Sequence, residues 1–177
     1  MDSSAPVPPV PPDDVEREFV DLWRRMSSLW GISPTMAQIH GLLFFCGESL
    51  SMDDLMQRLG IARSNVSMNL TRLIEWGLVR RVHRRGDRRD YYESLTDVWE
   101  MFALVAAQRK RREIDPMLAT LRQCGERLAP GPADDGGRRQ RVNDLVAFLS
   151  LVDGLAQRFF ESHRSLRAAL EMLAGKE

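Results

Sequence analysis

The sequence predicts a mainly α-helical protein with one small β-hairpin, on three observations. Apolar residues recur at helical spacing through most of the 177 residues. Helix start and stop signals bracket those runs. A single stretch, "LVRRVHRRGDRRDYYESL" (78–95), sets β-branched and aromatic residues on either side of a Gly-Asp turn, the pattern of a hairpin.

Each element follows in order. Residues 1–12, "MDSSAPVPPVPP", carry the proline density of a disordered or polyproline tail and lack the basic start and apolar run of a signal peptide. Residues 13–32 place Val15, Phe19, Leu22, Trp23, Met26, Leu29 and Trp30 on one helical stripe that ends at Gly31. A second helix starts with Ser33 as N-cap and Pro34 in the first turn, runs to about Cys46 and is closed by Gly47. "SMDDLMQRLG" has Ser51 and Asp54 at capping-box spacing and a terminal Gly60, giving a helix of two to three turns. A tight link through Ile61 leads to the next helix, Arg63 to Trp76, with Val66, Leu70, Leu73 and Ile74 on one face and Gly77 behind it. Two helices joined by so short a turn, followed by the hairpin, make a winged helix-turn-helix core over residues 33–95.

The remainder reads as long flanking dimerisation helices. Thr96 is the expected cap of "DVWEMFALVAAQRKRRE", and Asp115-Pro116 marks either a kink or a fresh helix start within 96–128. Residues 129–139 form a loop by composition. In 140–175 the residues Val142, Leu145, Leu149, Val152, Ala156, Phe159, His163, Leu166, Leu170 and Leu173 fall three and four apart, a heptad seam. This seam could pack back on the chain's own helices. Its length favours a partner copy, and a two-fold protein reads paired half-sites.

Charge points to the ligand. Lys+Arg and Asp+Glu both number 25, so the net charge is zero, yet residues 61–89 hold eight arginines against Glu75 and Asp87. With Val66, Leu70 and Leu73 inward, the helix presents Arg63, Ser64, Asn65, Ser67, Met68, Thr71 and Arg72 outward. Side chains of these types can reach base edges and phosphates, though any surface helix shows a polar face. The hairpin decides between the two. Arginines crowded at a turn repel one another, so Arg84, Arg85, Arg88 and Arg89 around Gly86 and Asp87 call for an anionic partner, with Asp87 able to hold a neighbouring guanidinium. A second basic cluster, "RKRREID" (109–115), scatters its charges around a helix among acidic partners and is assigned no site.

Other functions find little support. Cys46 and Cys124 have no metal-binding or CxxC spacing, and His40, His83 and His163 have no partners at ligand or triad spacing. We expect no enzyme, no metal and no cofactor. No apolar run is long enough to cross a membrane, and a cytoplasmic, nucleoid-associated protein is expected.

The run "IARSNVSMNLTRLIEWGLVRRVHRRGDRRDYYES" resembles the MarR superfamily of winged-helix regulators and, more closely, its GbsR-type branch, in which "NVSMNL…WGLV" precedes a wing ending in "DYYE". The likeness extends over roughly residues 20–120. It implies homodimers formed by terminal helices, a recognition helix carried by Ser64 to Arg72, and a wing carried by Arg84 to Arg89, with Asp87, Arg88 and Arg89 matching an Asp-plus-Arg wing element. Some proteins it resembles repress osmoprotectant genes and respond to choline; Trp23, Trp30, Trp99, Tyr91 and Tyr92 could then form an aromatic cage, although aromatics at helical spacing also serve as core. The expected function is a homodimeric, sequence-specific DNA-binding regulator, a repressor open to control by a small effector. A winged-helix protein-interaction scaffold and a non-specific DNA-architectural protein are the alternatives.

Overall fold

A computed structural model describes residues 14–128 and 137–161, the side chains of 159–161 excepted. The expected tail of residues 1–12 and the seam positions His163, Leu166, Leu170 and Leu173 lie outside the described residues, as does the side chain of Phe159. The chain divides after Met101 into two compact units.

The first unit opens with α1 (Asp14–Arg25) and the single turn α2 (Ser27–Trp30), separated at Met26 and closed by Gly31 at a φ of 66°. Helix α3 (Pro34–Cys46) follows, capped as its sequence requires: the Ser33 hydroxyl accepts the Met36 amide at 3.1 Å, and Gly47 takes the left-handed conformation at the other end. Almost every side of α3 is covered, so it is the central helix of the unit. Trp23 of α1 lies directly against Gly41, where a Cβ would stand 2.8 Å from the indole; only glycine admits the ring at this distance.

A two-residue strand, β1 (Leu50–Ser51), leads into α4 (Met52–Leu59). Ser51 and Asp54 form the complete capping box. After Gly60 comes α5 (Arg63–Glu75), then Gly77 and the hairpin of β2 (Val79–His83) and β3 (Asp90–Ser94). The sheet order is β1-β3-β2, antiparallel throughout, with Leu50 opposite Tyr92 and Val79 opposite Ser94. Sequence reading gives the hairpin but not its third strand, because two residues are too few to show alternation. Ile39, Leu42, Leu43, Leu55, Leu73 and Met101 are fully buried and form the centre of the core.

Helix α6 (Val98–Arg109) begins in this unit and continues into the second. Its cap differs from the one expected at Thr96. The Asp97 carboxylate accepts the amides of Trp99 and Glu100 at 2.9 and 3.1 Å, so Asp97 is the capping residue and the helix starts one position later. At Asp115-Pro116 the backbone neither stops nor starts afresh. A π-helical turn, Lys110–Ile114, carries α6 into α7 (Asp115–Arg127), widening the spiral just before the proline that cannot donate a backbone hydrogen bond. Helix α8 (Arg138–Glu161) begins after Gly137, two residues earlier than expected. It packs antiparallel on α7: Gly125 sits beside Val142 and Asn143, and Arg122 donates to the Ser150 hydroxyl at 3.4 Å. Lys110 of the π turn bonds both Asp115 at 2.5 Å and Asp153 of α8 at 2.8 Å, and these carboxylates raise its pKa.

Candidate nucleic-acid interface

The outward face of α5 is as the inward stripe dictates. Val66, Leu70 and Leu73 are buried, and Arg63, Ser64, Asn65, Ser67, Met68, Thr71 and Arg72 are all exposed. Two of the exposed groups already have partners. The Arg63 guanidinium meets Asp53 of α4 at 2.5 Å, and the Thr71 hydroxyl donates to the Ser67 carbonyl at 3.0 Å.

Asn69, which the sequence reading passes over, is buried under the same helix. Its amide nitrogen donates to the Asn65 carbonyl at 2.8 Å, and its oxygen accepts the Ser33 hydroxyl of α3 at 3.1 Å. The signal was present in its position. Asn69 lies three residues after Val66 on the inward stripe, where a polar residue must find internal partners.

The wing sorts its six arginines by what holds them. Arg80 pairs with Glu93 across the hairpin, and Arg81 with Asp90 at 3.3 Å. Arg84 turns back from the tip: its guanidinium stacks over the Tyr91 ring with the carbon 4.1 Å from the centroid, and donates to the Ser49 carbonyl at 2.5 Å. Arg89 binds Asp87 through side chain and backbone, at 2.6 and 2.9 Å for the closest pairs, and also reaches the Tyr91 hydroxyl at 2.8 Å. That hydroxyl in turn donates to Asp87 at 2.7 Å. The bonds from Arg89 and Tyr91 hold the Asp87 carboxyl far below the usual carboxylate range, so it stays ionised, while the bond to Asp87 raises the Tyr91 pKa. Gly86, at a φ of 84°, makes the turn between them.

Arg85 and Arg88 remain. Both are exposed, and neither has an ion-pair or hydrogen-bond partner among the described residues. The tip therefore presents two free guanidinium groups on a hairpin braced by the other four arginines. Two unneutralised cations a few residues apart attract anions.

The five aromatic residues considered for a cage are distributed differently. Trp23 and Trp30 approach each other at 5.1 Å between ring centroids, within a group that includes Phe19, Phe44 and His40. Tyr91 and Tyr92 are buried neighbours on β3 and project to opposite faces of the sheet, so the five rings do not close on one point. Trp99 is half-buried at the start of α6. A cleft of about 610 Å³ lies within the second unit, lined by Ala103, Ala107, Lys110, Leu149 and Asp153 among others; none of the five rings borders it.

On α8 the seam positions divide. Val142 and Leu149 are half-buried, whereas Leu145, Val152 and Ala156 are exposed. Phe148, Leu151 and Leu155, outside the expected heptad, are exposed at 61, 63 and 58%.

An exposed polar helix joined directly to a basic hairpin, on a three-helix core, has the architecture of a winged helix-turn-helix. The model of the MarR family matches residues 30–90, which span α3 to the start of β3. Across 88% of the chain, and 89% of the relative, the sequence is 20% identical to the HTH-type transcriptional repressor OpcR of Bacillus subtilis. It is 26% identical to the HTH-type transcriptional regulator MmpR5 of Mycobacterium tuberculosis over 76% of the chain and 80% of that protein. A crystal structure of a transcriptional regulator superposes with a TM-score of 0.62 at 21% identity, covering 85% of this chain and 99% of the other, and shows the shared fold. The chain is thus similar to transcriptional regulators, with the likeness to the MarR family model confined to residues 30–90, and it shares the winged-helix fold. No helix among the described residues is long and apolar enough to cross a membrane.

Proposed function

We propose that the protein is a homodimeric, sequence-specific transcriptional repressor of the GbsR-type branch. Helix α5 enters the major groove, where Asn65 and Arg72 read base edges and Ser64, Ser67 and Thr71 meet phosphates. The wing enters the adjoining minor groove through Arg85 and Arg88. The observation that carries this reading is the selective freedom of those two side chains: the hairpin satisfies four of its arginines internally and leaves exposed the pair at its tip. The dimer forms on the exposed apolar stripe of α8, and a small effector acts by favouring one separation of the two recognition helices. The cleft in the second unit has the volume of a small-molecule site.

Selection of bound sequences from a random duplex pool tests the whole proposal. The expected product is a two-fold symmetric site whose half-sites lie about 10 base pairs apart, one helical turn or a multiple of it. Equal recovery of all sequences favours an architectural role instead. Failure to bind either duplex or heparin favours a protein-interaction scaffold.

A further inference from the structure

The core contains a directional chain of hydrogen bonds that the DNA contacts do not explain. The Trp23 indole N–H of α1 donates to His40 Nδ1 at 3.1 Å. His40 Nε2 faces the Ser94 hydroxyl at 3.2 Å, and that hydroxyl donates to the Leu95 carbonyl at 3.0 Å. Each group has one role open to it. Trp23 can only donate, so Nδ1 accepts; the ring proton is then on Nε2, which donates to the Ser94 oxygen while the Ser94 hydroxyl donates to the Leu95 carbonyl.

His40 is 1% exposed, and its two hydrogen-bond partners, Trp23 and Ser94, are both uncharged. A leucine would fill such a place in a helix without needing two matched partners. The histidine instead joins three elements: α1 through Trp23, the central helix α3 through its own backbone, and the base of the wing through Ser94. Ser94 is the last residue of β3, opposite Val79 at the first residue of β2, so it anchors both strands where the hairpin leaves the core. At the N-terminal end of α3, Ser33 makes the corresponding bond to Asn69 of α5. One helix thus holds α5 by its N-cap and the wing by its middle, in each case through a bond between one buried and one half-buried polar side chain.

We infer that His40 is a positioning residue for the wing: with Ser94 it fixes the base of the hairpin on α3, and with Trp23 it ties that setting to the seat of α1. The inference rests on the DNA-binding reading above. Its consequence is that disturbing His40 removes the contribution of Arg85 and Arg88 without touching either one. A simple loss of stability would instead weaken all DNA contacts together.

The test uses the full-length protein, a random duplex and a selected binding site, with four forms compared: wild type, His40→Leu, Arg85→Ala/Arg88→Ala, and the three changes combined. Losing two phosphate contacts flattens the log–log dependence of affinity on salt by about 1.8, so the wing double variant loses about tenfold more affinity at 50 mM than at 200 mM salt. His40→Leu should reproduce most of that flattening, and the combined variant should be no flatter than the wing variant alone. Additive losses, or an unchanged slope in His40→Leu, overturn the inference. Ser94→Ala, which leaves the histidine and its packing in place, should act in the same direction and covers the case in which His40→Leu folds poorly. Amide exchange of residues 79–94 provides a readout independent of DNA: it should quicken in both variants relative to α5, and equal protection also overturns the inference. Wild-type protein that binds no duplex removes the DNA-binding reading, while the exchange measurement still decides whether His40 holds the wing.

Discussion

His40 shows how burial sets the chemistry of a single residue. Enclosed in the core, its imidazole loses the solvation that a charged ring needs, and its pKa falls from 6.5 to about 4. The unfolded chain therefore binds a proton in a pH range where the folded chain does not, so stability falls as the pH is lowered through that window. Between pH 7 and pH 5 the native state should lose about 2 kcal/mol on this account. Urea denaturation at the two pH values measures it, and His40→Gln should flatten the dependence by most of that amount; equal slopes in the two proteins would show that other groups carry it. Cys46 illustrates the same principle with the opposite sign for a neutral acid. Burial, and the nearby Glu16 and Glu48 carboxylates against the opposing pull of Arg58, push its thiol up to about 11, which favours the neutral thiol over the thiolate near pH 7. Glu16 itself is buried against Arg58 of α4, so the N-terminal helix is fastened to the helix-turn-helix by an ion pair that a single truncation would leave uncompensated.

At the scale of elements, the wing gives the sharpest expectation. Arg85→Ala with Arg88→Ala should weaken binding to specific and random duplex alike and leave the melting temperature unchanged, because neither side chain has an ion-pair or hydrogen-bond partner among the described residues. Arg89→Ala should do the reverse in part: it removes the guanidinium that bonds both Asp87 and Tyr91, leaving only their mutual bond and the Arg89 amide, and the tip should lose order, seen as faster amide exchange at 84–91. Unchanged duplex affinity in the first variant would remove the wing from the mechanism. Much of this architecture was legible in the sequence, for local reasons. Ser33, Ser51, Gly47 and Gly60 are start and stop signals whose partners lie within four residues, and each works as its spacing dictates. The signals that failed depend on distant partners or on a choice between neighbours. Asp97 displaced Thr96 as a cap because a carboxylate one residue on reaches the same amides. Strand β1 exists only because β3 is there to pair with it. The six wing arginines look equivalent in sequence; only the fold separates Arg84, held by Ser49 from 35 residues away, from the free Arg85 beside it.

At the scale of the whole molecule, the central question is what covers α8. Leu145, Phe148, Leu151, Val152 and Leu155 recur at intervals of three and four, so they share one side of the helix, and all are exposed. The opposite side is occupied by α7, whose Gly125 lets the two backbones approach. A helix with apolar residues on both sides has two packing surfaces, and a stripe of this length in water is unfavourable unless something is laid on it. On the function proposed above, the occupant is a second copy: an isologous contact between identical helices would bring two winged helices to one operator. Phe148→Glu with Leu151→Glu should place charges on that surface without touching the α7 side, converting a dimer to a monomer in sedimentation velocity while leaving the helical content intact. The monomer should still bind a single half-site, and should lose on the order of a hundredfold or more in affinity for the paired site, because the second contact no longer benefits from the first. If both proteins sediment alike and bind the paired site alike, the α8 stripe is not the dimer contact, and two-fold recognition would have to be built on another surface.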